Sequence, residues 1–270
     1  MRFKIAVVQF RIEQFEPEIN LKRMEKFIQR AKKSEANVII FPEDCVTGPL
    51  MRRKEFVDRK GFYKKFFQKL AQKYRIDIIP GSFIEVEKNK WFNTSYYIDS
   101  FGKIKVRYKK VNLWLPERTY ISPGNRAVAF NTKYGKTGLI ICWDIVFPET
   151  IRKIIKGGAK IIYCPSYWCA GDAGRGIRYD KNAEIKFVDS ICSARAFENE
   201  VIVVYCNASG VFYGNKKDRL IGRSQVVVPF KGVVKKLNHN LEKMFIVEVD
   251  TKIIRDAEKS YKIRTDLKRI

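Results

Sequence analysis

The chain has 270 residues, is 46% hydrophobic and carries no compositionally biased tract, which excludes a disordered or fibrous protein. Its 54 Lys and Arg outnumber 29 Asp and Glu, for a formal charge of +25. The basic residues are dispersed, however, and no RNA-binding aromatic motif or glycine-rich phosphate loop accompanies them, so a basic solvated surface is expected rather than a specific nucleic-acid site.

The chain opens on basic residues and an apolar run, Ile5–Phe10, closed by Arg11 and Glu13. It reads as a first strand, Phe3–Phe10, not a signal peptide, and the protein is expected in the cytoplasm. Ile19–Lys33 is amphipathic at helical spacing. Asn37–Phe41 is a short buried strand, and Phe56–Tyr74 reads as a helix despite Gly61. Ile76–Pro80 and Ser82–Val86 follow as strand, then a hairpin of Trp91–Asp99 and Lys103–Lys110. After the loop Thr119–Gly124 the scheme repeats. Thr137–Cys142 is a strand, Pro148–Lys156 a helix, Lys160–Pro165 a strand, Lys181–Asn199 a helix and Val201–Cys206 a strand. Ser224–Val228 and Phe245–Val249 close the series.

Ala36–Pro42 and Ala159–Pro165 share one pattern, a small residue and an apolar run ending in proline. This predicts two similar halves, each a sheet with helices outside, layered helix, sheet, sheet, helix in one domain over residues 1–270. No apolar run is long enough to span a bilayer. The six cysteines form no CxxC pair, so free thiols are expected rather than a zinc site on Cys164, Cys169, Cys192 and Cys206. The single histidine, His239, leaves no material for a histidine-rich metal site. Acid–base chemistry would fall to carboxylates and lysines.

Three reactive side chains stand at the carboxyl ends of predicted strands, where open α/β sheets bind ligands. Glu43 follows the strand ending at Pro42, and its carboxylate is set for partial desolvation or, equally, for a surface or capping role. Lys110 ends a strand whose inward face is otherwise Ile104, Val106 and Tyr108. It either meets an acidic partner or anionic reaction centre, or snorkels outward. Cys142 ends a strand before a helix opening at Pro148. A helix start and a nearby lysine favour a thiolate there, whereas the bland reading is a buried structural cysteine.

Together these residues resemble the nitrilase superfamily of carbon–nitrogen hydrolases over nearly the whole chain. The marks are Val38–Asp44 with Glu43; Tyr108–Leu113 with Lys110, followed by Glu117 and Ser122–Gly124; and Ile140–Glu149 with Cys142. Weaker matches are Pro165–Ser166 with Trp168, Ala194–Asn199, Asn207 and Gly222–Ser224. The resemblance implies the four-layer α-β-β-α sandwich, a cysteine thioester route and no cofactor or metal. It implies Cys142 as nucleophile, Glu43 as base, and Lys110 with the backbone N–H of Trp143 as oxyanion stabiliser. Glu117 would orient Lys110 and contact substrate. It also implies a homodimer or larger homo-oligomer. Many family members acting on carboxylate-bearing substrates carry arginine where this chain has Ile145 or Val146. A neutral, fairly apolar small amide is therefore expected, with Trp143 and Trp168 near the pocket, unless Arg175 and Arg178 restore a clamp. The alternatives are an N-carbamoyl hydrolase or nitrilase of the same superfamily, or a basic nucleic-acid-binding protein on an α/β scaffold.

Overall fold

The computed structural model describes residues 1–213, 217–267 and 269. The first half runs β1 (Arg2–Gln9), α1 (Pro17–Lys33), β2 (Val38–Ile40), α2 (Phe62–Tyr74), β3 (Asp77–Ile79), β4 (Ser82–Glu87), β5 (Lys90–Ile98) and β6 (Ile104–Lys109). The second runs β7 (Ala129–Thr132), β8 (Gly135–Leu139), α3 (Pro148–Lys156), β9 (Ile161–Ser166), α4 (Ala183–Glu198) and β10 (Ile202–Asn207). It continues through β11 (Val211–Tyr213), β12 (Lys217–Arg219), β13 (Gln225–Val228), β14 (Gly232–Lys236), β15 (Lys243–Asp250), α5 (Lys252–Tyr261) and α6 (Ile263–Asp266).

One sheet has the order β15-β1-β2-β3-β5-β4, with β6 paired to β5; the other has the order β14-β13-β10-β9-β8-β7. Each is built on three parallel strands, β1-β2-β3 and β8-β9-β10. In each, the middle strand belongs to one of the two matching apolar segments. The halves are thus alike where the sequence patterns are alike. A parallel strand covered on both faces must be apolar throughout, and β2 and β9 are fully buried.

Period-two alternation separates the layers. Ile5 and Val7 of β1 face the interior between the sheets, while Ala6 and Val8 pack with Leu21, Met24, Phe27 and Ile28 of α1. Phe67, Leu70 and Ala71 of α2 join that outer layer. Across the sandwich, Ile151, Ile154 and Ile155 of α3 and Val188, Ile191 and Cys192 of α4 cover the second sheet. This is the four-layer sandwich. No helix among the described residues is long and apolar enough to cross a membrane.

Two expectations change. Phe56 closes a separate 3₁₀ turn, Lys54–Phe56, and residues 57–61 are not helical: α2 begins at Phe62, after Gly61 at φ 66°. The Asp58 carboxylate accepts hydrogen bonds from the Phe62 and Tyr63 N–H groups, both at 2.9 Å, satisfying donors that a helix start leaves free. The strand before Cys142 stops at Leu139, and Cys142 opens a 3₁₀ turn, Cys142–Val146. The basic stretch after Thr251 is ordered as well. It forms α5, whose Ile254 and Ala257 are buried while its lysines stay outside.

Candidate active site

The chain leaving β2, β6 and β8 brings the three reactive residues together. Glu43, Lys110 and Cys142 are 3%, 1% and 6% exposed. Lys110 lies inside, not snorkelled outward. Its Nζ donates to Glu43 Oε1 at 2.8 Å and to Glu117 Oε2 at 2.6 Å. The alternation of β6 thus delivers a lysine to the interior, and two carboxylates meet its charge.

The supporting bonds come from residues whose role was not read in the sequence. Asn93 Nδ2 on β5 donates to Glu43 Oε1 at 2.9 Å and to Glu117 Oε1 at 3.0 Å, so one amide ties both acids. Antiparallel pairing of β5 and β6 aligns the two: Lys110 N donates to Asn93 O at 2.9 Å. The backbone N–H of Tyr167 donates to Glu43 Oε2 at 3.0 Å, and that of Trp114 to Glu117 Oε2 at 2.8 Å. Gly124 N donates to Lys110 O, and a Cβ at Gly124 would stand 2.3 Å from the Lys109 carbonyl oxygen, so only glycine fits there.

Cys142 has φ 47°, a left-handed conformation that costs a non-glycine residue energy. The turn that holds it is over-determined. Asp144, fully buried, accepts from Ile141 N and the Tyr108 hydroxyl through Oδ2, and from Asn112 N through Oδ1. From α4, Arg195 donates to the Ile145 and Val146 carbonyls at 2.9 and 2.8 Å. On the far side, Asn207 clamps the loop after β9, accepting from Trp168 N and donating to the Trp168 and Gly222 carbonyls.

The protonation pattern differs from the expected thiolate. Burial pushes the Cys142 thiol well up, the Glu43 charge adds to this, and Lys110 opposes it without prevailing. The Lys110 charge is already committed to two carboxylates. Burial also raises Glu43 above the ordinary carboxylate range, with Lys110 pulling the other way. Burial works against the Lys110 charge too, but Glu117 and Glu43 outweigh it and hold the ammonium well above its ordinary value. The resting state is a neutral thiol within hydrogen-bonding reach of a paired carboxylate. That arrangement suits a base that removes the thiol proton as the sulfur attacks.

Trp143 and Trp168 form an aromatic wall beside this cluster. Trp143 lies 4.4 Å from Trp114 and 5.5 Å from Trp168, ring centre to ring centre. Trp168 is 2% exposed and donates its indole N–H to Glu184, so it stands behind the half-buried Trp143. Ile145 and Val146 present no cation, and Arg175 and Arg178 are exposed and make no ion pair among the described residues. His239 accepts from Leu241 N in a separate loop. The six cysteines are free and buried, and among the described residues no three His, Cys, Asp or Glu side chains gather to hold a metal ion.

The carbon–nitrogen hydrolase family matches residues 4–259. The chain is 31% identical to the 2-oxoglutaramate amidase of Bacillus subtilis (strain 168) over 239 residues, covering 87% of this chain and 86% of that protein. It is 29% identical to a probable nitrilase of Schizosaccharomyces pombe over 269 residues, 97% of this chain and 93% of the other. The crystal structure of Saccharomyces cerevisiae Nit3, a member of branch 10 of the nitrilase superfamily, superposes with a TM-score of 0.83 at 26% identity, covering 96% of this chain and 94% of that one. A fold of facing sheets, a buried cysteine beside a carboxylate and lysine, and these matches along almost its full length make the chain a carbon–nitrogen hydrolase of the nitrilase superfamily.

Proposed function

We propose that this hydrolase cleaves the carbon–nitrogen bond of a small linear amide, with Cys142, Glu43 and Lys110 as its catalytic residues. Cys142 Sγ attacks the amide carbonyl as Glu43 takes the thiol proton. Lys110 Nζ, with the Trp143 backbone N–H, stabilises the oxyanion. Glu43 passes its proton to the leaving nitrogen, and ammonia or an amine departs from a thioester. Glu43 then removes a proton from water as that water attacks the thioester. The carboxylate product leaves and the thiol is restored. Glu117 holds Lys110 in place and borders the substrate, and Trp143 and Trp168 form its aromatic wall.

The observation that carries this reading is the buried Lys110 ammonium bridging Glu43 and Glu117 beside the Cys142 thiol. A preorganised charge in such a dry site is worth about 3–4 kcal/mol at a developing oxyanion. The missing cation at Ile145 and Val146 favours an amide without a carboxylate at that wall. Residues 1–270 act as one hydrolase domain in the cytoplasm, and the family resemblance favours a homodimer or larger homo-oligomer.

Ammonia release from a panel of aliphatic and aromatic amides, carbamoyl amino acids and nitriles tests the proposal. Release from amides that Cys142→Ala abolishes, a loss of at least about 10³-fold, is the expected result. Release that survives the substitution, or that occurs from nitriles alone, would overturn it.

A further inference from the structure

The bonds around Glu43 divide its two carboxyl oxygens between different neighbours. Oε1 accepts from Lys110 Nζ at 2.8 Å and from Asn93 Nδ2 at 2.9 Å, so both of its lone pairs are taken. Oε2 accepts from one N–H among the described residues, that of Tyr167 at 3.0 Å, and keeps a lone pair. Tyr167 also reaches the thiol: its carbonyl oxygen lies 4.0 Å from Cys142 Sγ. Oε2 and Sγ therefore meet the same residue's backbone.

Asn93 sets this division. Its side chain is 1% exposed, and Nδ2 gives its other hydrogen to Glu117 Oε1 at 3.0 Å. Asn93 and Lys110 each donate to both acids, so the four side chains close a ring. The amide oxygen Oδ1 is buried and accepts nothing among the described residues. Buried amide oxygens usually have donors, and an asparagine kept for packing alone would use this one. Here every side-chain hydrogen bond of Asn93 goes to the two acids. The amide is fixed this way round, because turning it would set Oδ1 against two carboxylate oxygens. Its place along the strand is fixed as well, since the Lys110 N–H donates to Asn93 O.

We propose that Asn93 is a positioning residue: with Lys110 it occupies Glu43 Oε1 and so assigns the travelling proton to Oε2. This rests on the reading of Glu43 as the base and deepens it. The proton leaves Sγ for Oε2 as the sulfur–carbon bond forms. It passes from Oε2 to the leaving nitrogen as the carbon–nitrogen bond breaks. A proton on Oε1 would have to displace a hydrogen bond from Lys110 or Asn93, whereas Oε2 takes it with the ring intact.

Asn93→Leu, close in size and without a donor, tests this. Ammonia release from the amide that the panel ranks first is followed across pH, beside a thermal melt. The value of kcat should fall at least about tenfold while KM stays within about twofold, because the loss is felt in proton transfer and not in binding. Removing a donor to the ionised carboxyl disfavours its charged form, so the acid limb of kcat/KM should move up by about one pH unit. The titratable neighbours of Glu43, namely Lys110, Glu117, Cys142, Asp44, Cys164 and Asp172, are all retained in this variant. A lower melting temperature with kcat and the limb unchanged would make Asn93 a structural residue and overturn the proposal.

The wild type supplies a readout that needs no Asn93 variant. Protein labelled with ¹⁵N in its asparagine side chains should show one Nδ2 group whose two protons lie downfield and shift with pH along the Glu43 limb. That shift should be absent in Glu43→Gln. No such signal would overturn the proposal, whether or not Asn93→Leu folds. If the signal titrates with Glu43 but the wild type releases ammonia from no amide, the Asn93 pairing stands and the hydrolysis reading falls. Release that ignores Asn93→Leu does the reverse.

Discussion

Two clusters of buried carboxyls in this molecule solve the same electrostatic problem differently. In the first, Glu43 and Glu117 face a lysine that bonds to both. In the second, Glu200, fully buried at the end of α4, meets Glu258 of α5. The nearby Arg264 spends its Nη1 on the Ala159 carbonyl at 2.7 Å and the Asn199 carbonyl. Glu200 Oε2 and Glu258 Oε2 are both left without a donor. A proton takes the place of the cation there. Burial and the neighbouring Glu258 push Glu200 up to about 7, while Glu258 is lowered. The lesson is that a bridging cation ties two buried carboxyls together through ion pairs, whereas a shared proton makes a contact that depends on pH.

Turning the first cluster into the second should have the largest effect. Lys110→Met leaves Glu43 and Glu117 buried without their cation. Ammonia release should fall about 10³-fold or more, since an oxyanion donor alone is worth about 10²–10³. Unfolding free energy should fall by about 3–5 kcal/mol, the usual result of breaking a buried ion pair. Steady-state kinetics and urea denaturation check the two. Unchanged stability would mean that the ion pairs do not hold the site.

Glu43→Gln sharpens the comparison from the acid side. Lys110 keeps Glu117, so stability should change less, but turnover should drop by about 10²-fold with the proposed base gone. In the wild type, kcat/KM should decline as pH falls through the Glu43 pKa, on a limb above the ordinary carboxylate value because burial raises that group. The limb should vanish in Glu43→Gln. A limb that persists would assign it to another group.

The smallest effect belongs to the carboxyl pair. Glu200 binds its proton more tightly folded, near 7, than unfolded, where a carboxylate titrates near its model value of 4.5. Between those values the folded state holds more protons, so stability should decrease as pH rises from about 4.5 through about 7. Below that window, Glu258, lowered by its partners, loses its own contribution as it protonates. Melting temperature should drop by a few degrees between pH 5 and pH 8. Glu200→Gln, which donates without titrating, should flatten the curve. A melting temperature equally pH-dependent in both proteins would remove the pair from this account.

Legibility followed range. The central strands could be read because a strand buried on both faces must be continuously apolar, and β2 and β9 are. α3 could be read to the residue because Pro148 starts it and Gly157 follows it. By contrast, β7, β14 and the β11–β12 pair were not recognised. Their alternation is weak, and their pairing partners, not their composition, make them strands. The start of α2 falls later than the apolar spacing suggests because Asp58 folds back to accept the first N–H groups of the helix, a contact across Gly61 that periodicity does not record.

The sequence by itself determined which atoms could react. A carboxylate after an apolar strand, a lysine on an inward β face and a cysteine before a helix follow from local periodicity, which a one-dimensional pattern records. Only the tertiary structure decided their charge states and their company. It joins Lys110 to Glu43 across 67 residues and Glu43 to Tyr167 across 124, adds Asn93 between the acids, and leaves Asp44 without a partner. It also leaves the Cys142 thiol protonated, contrary to what a nearby lysine suggested. The reason is physical. Ionisation in a protein interior depends on burial and on every charge within reach, and both are properties of packing between segments distant in the chain.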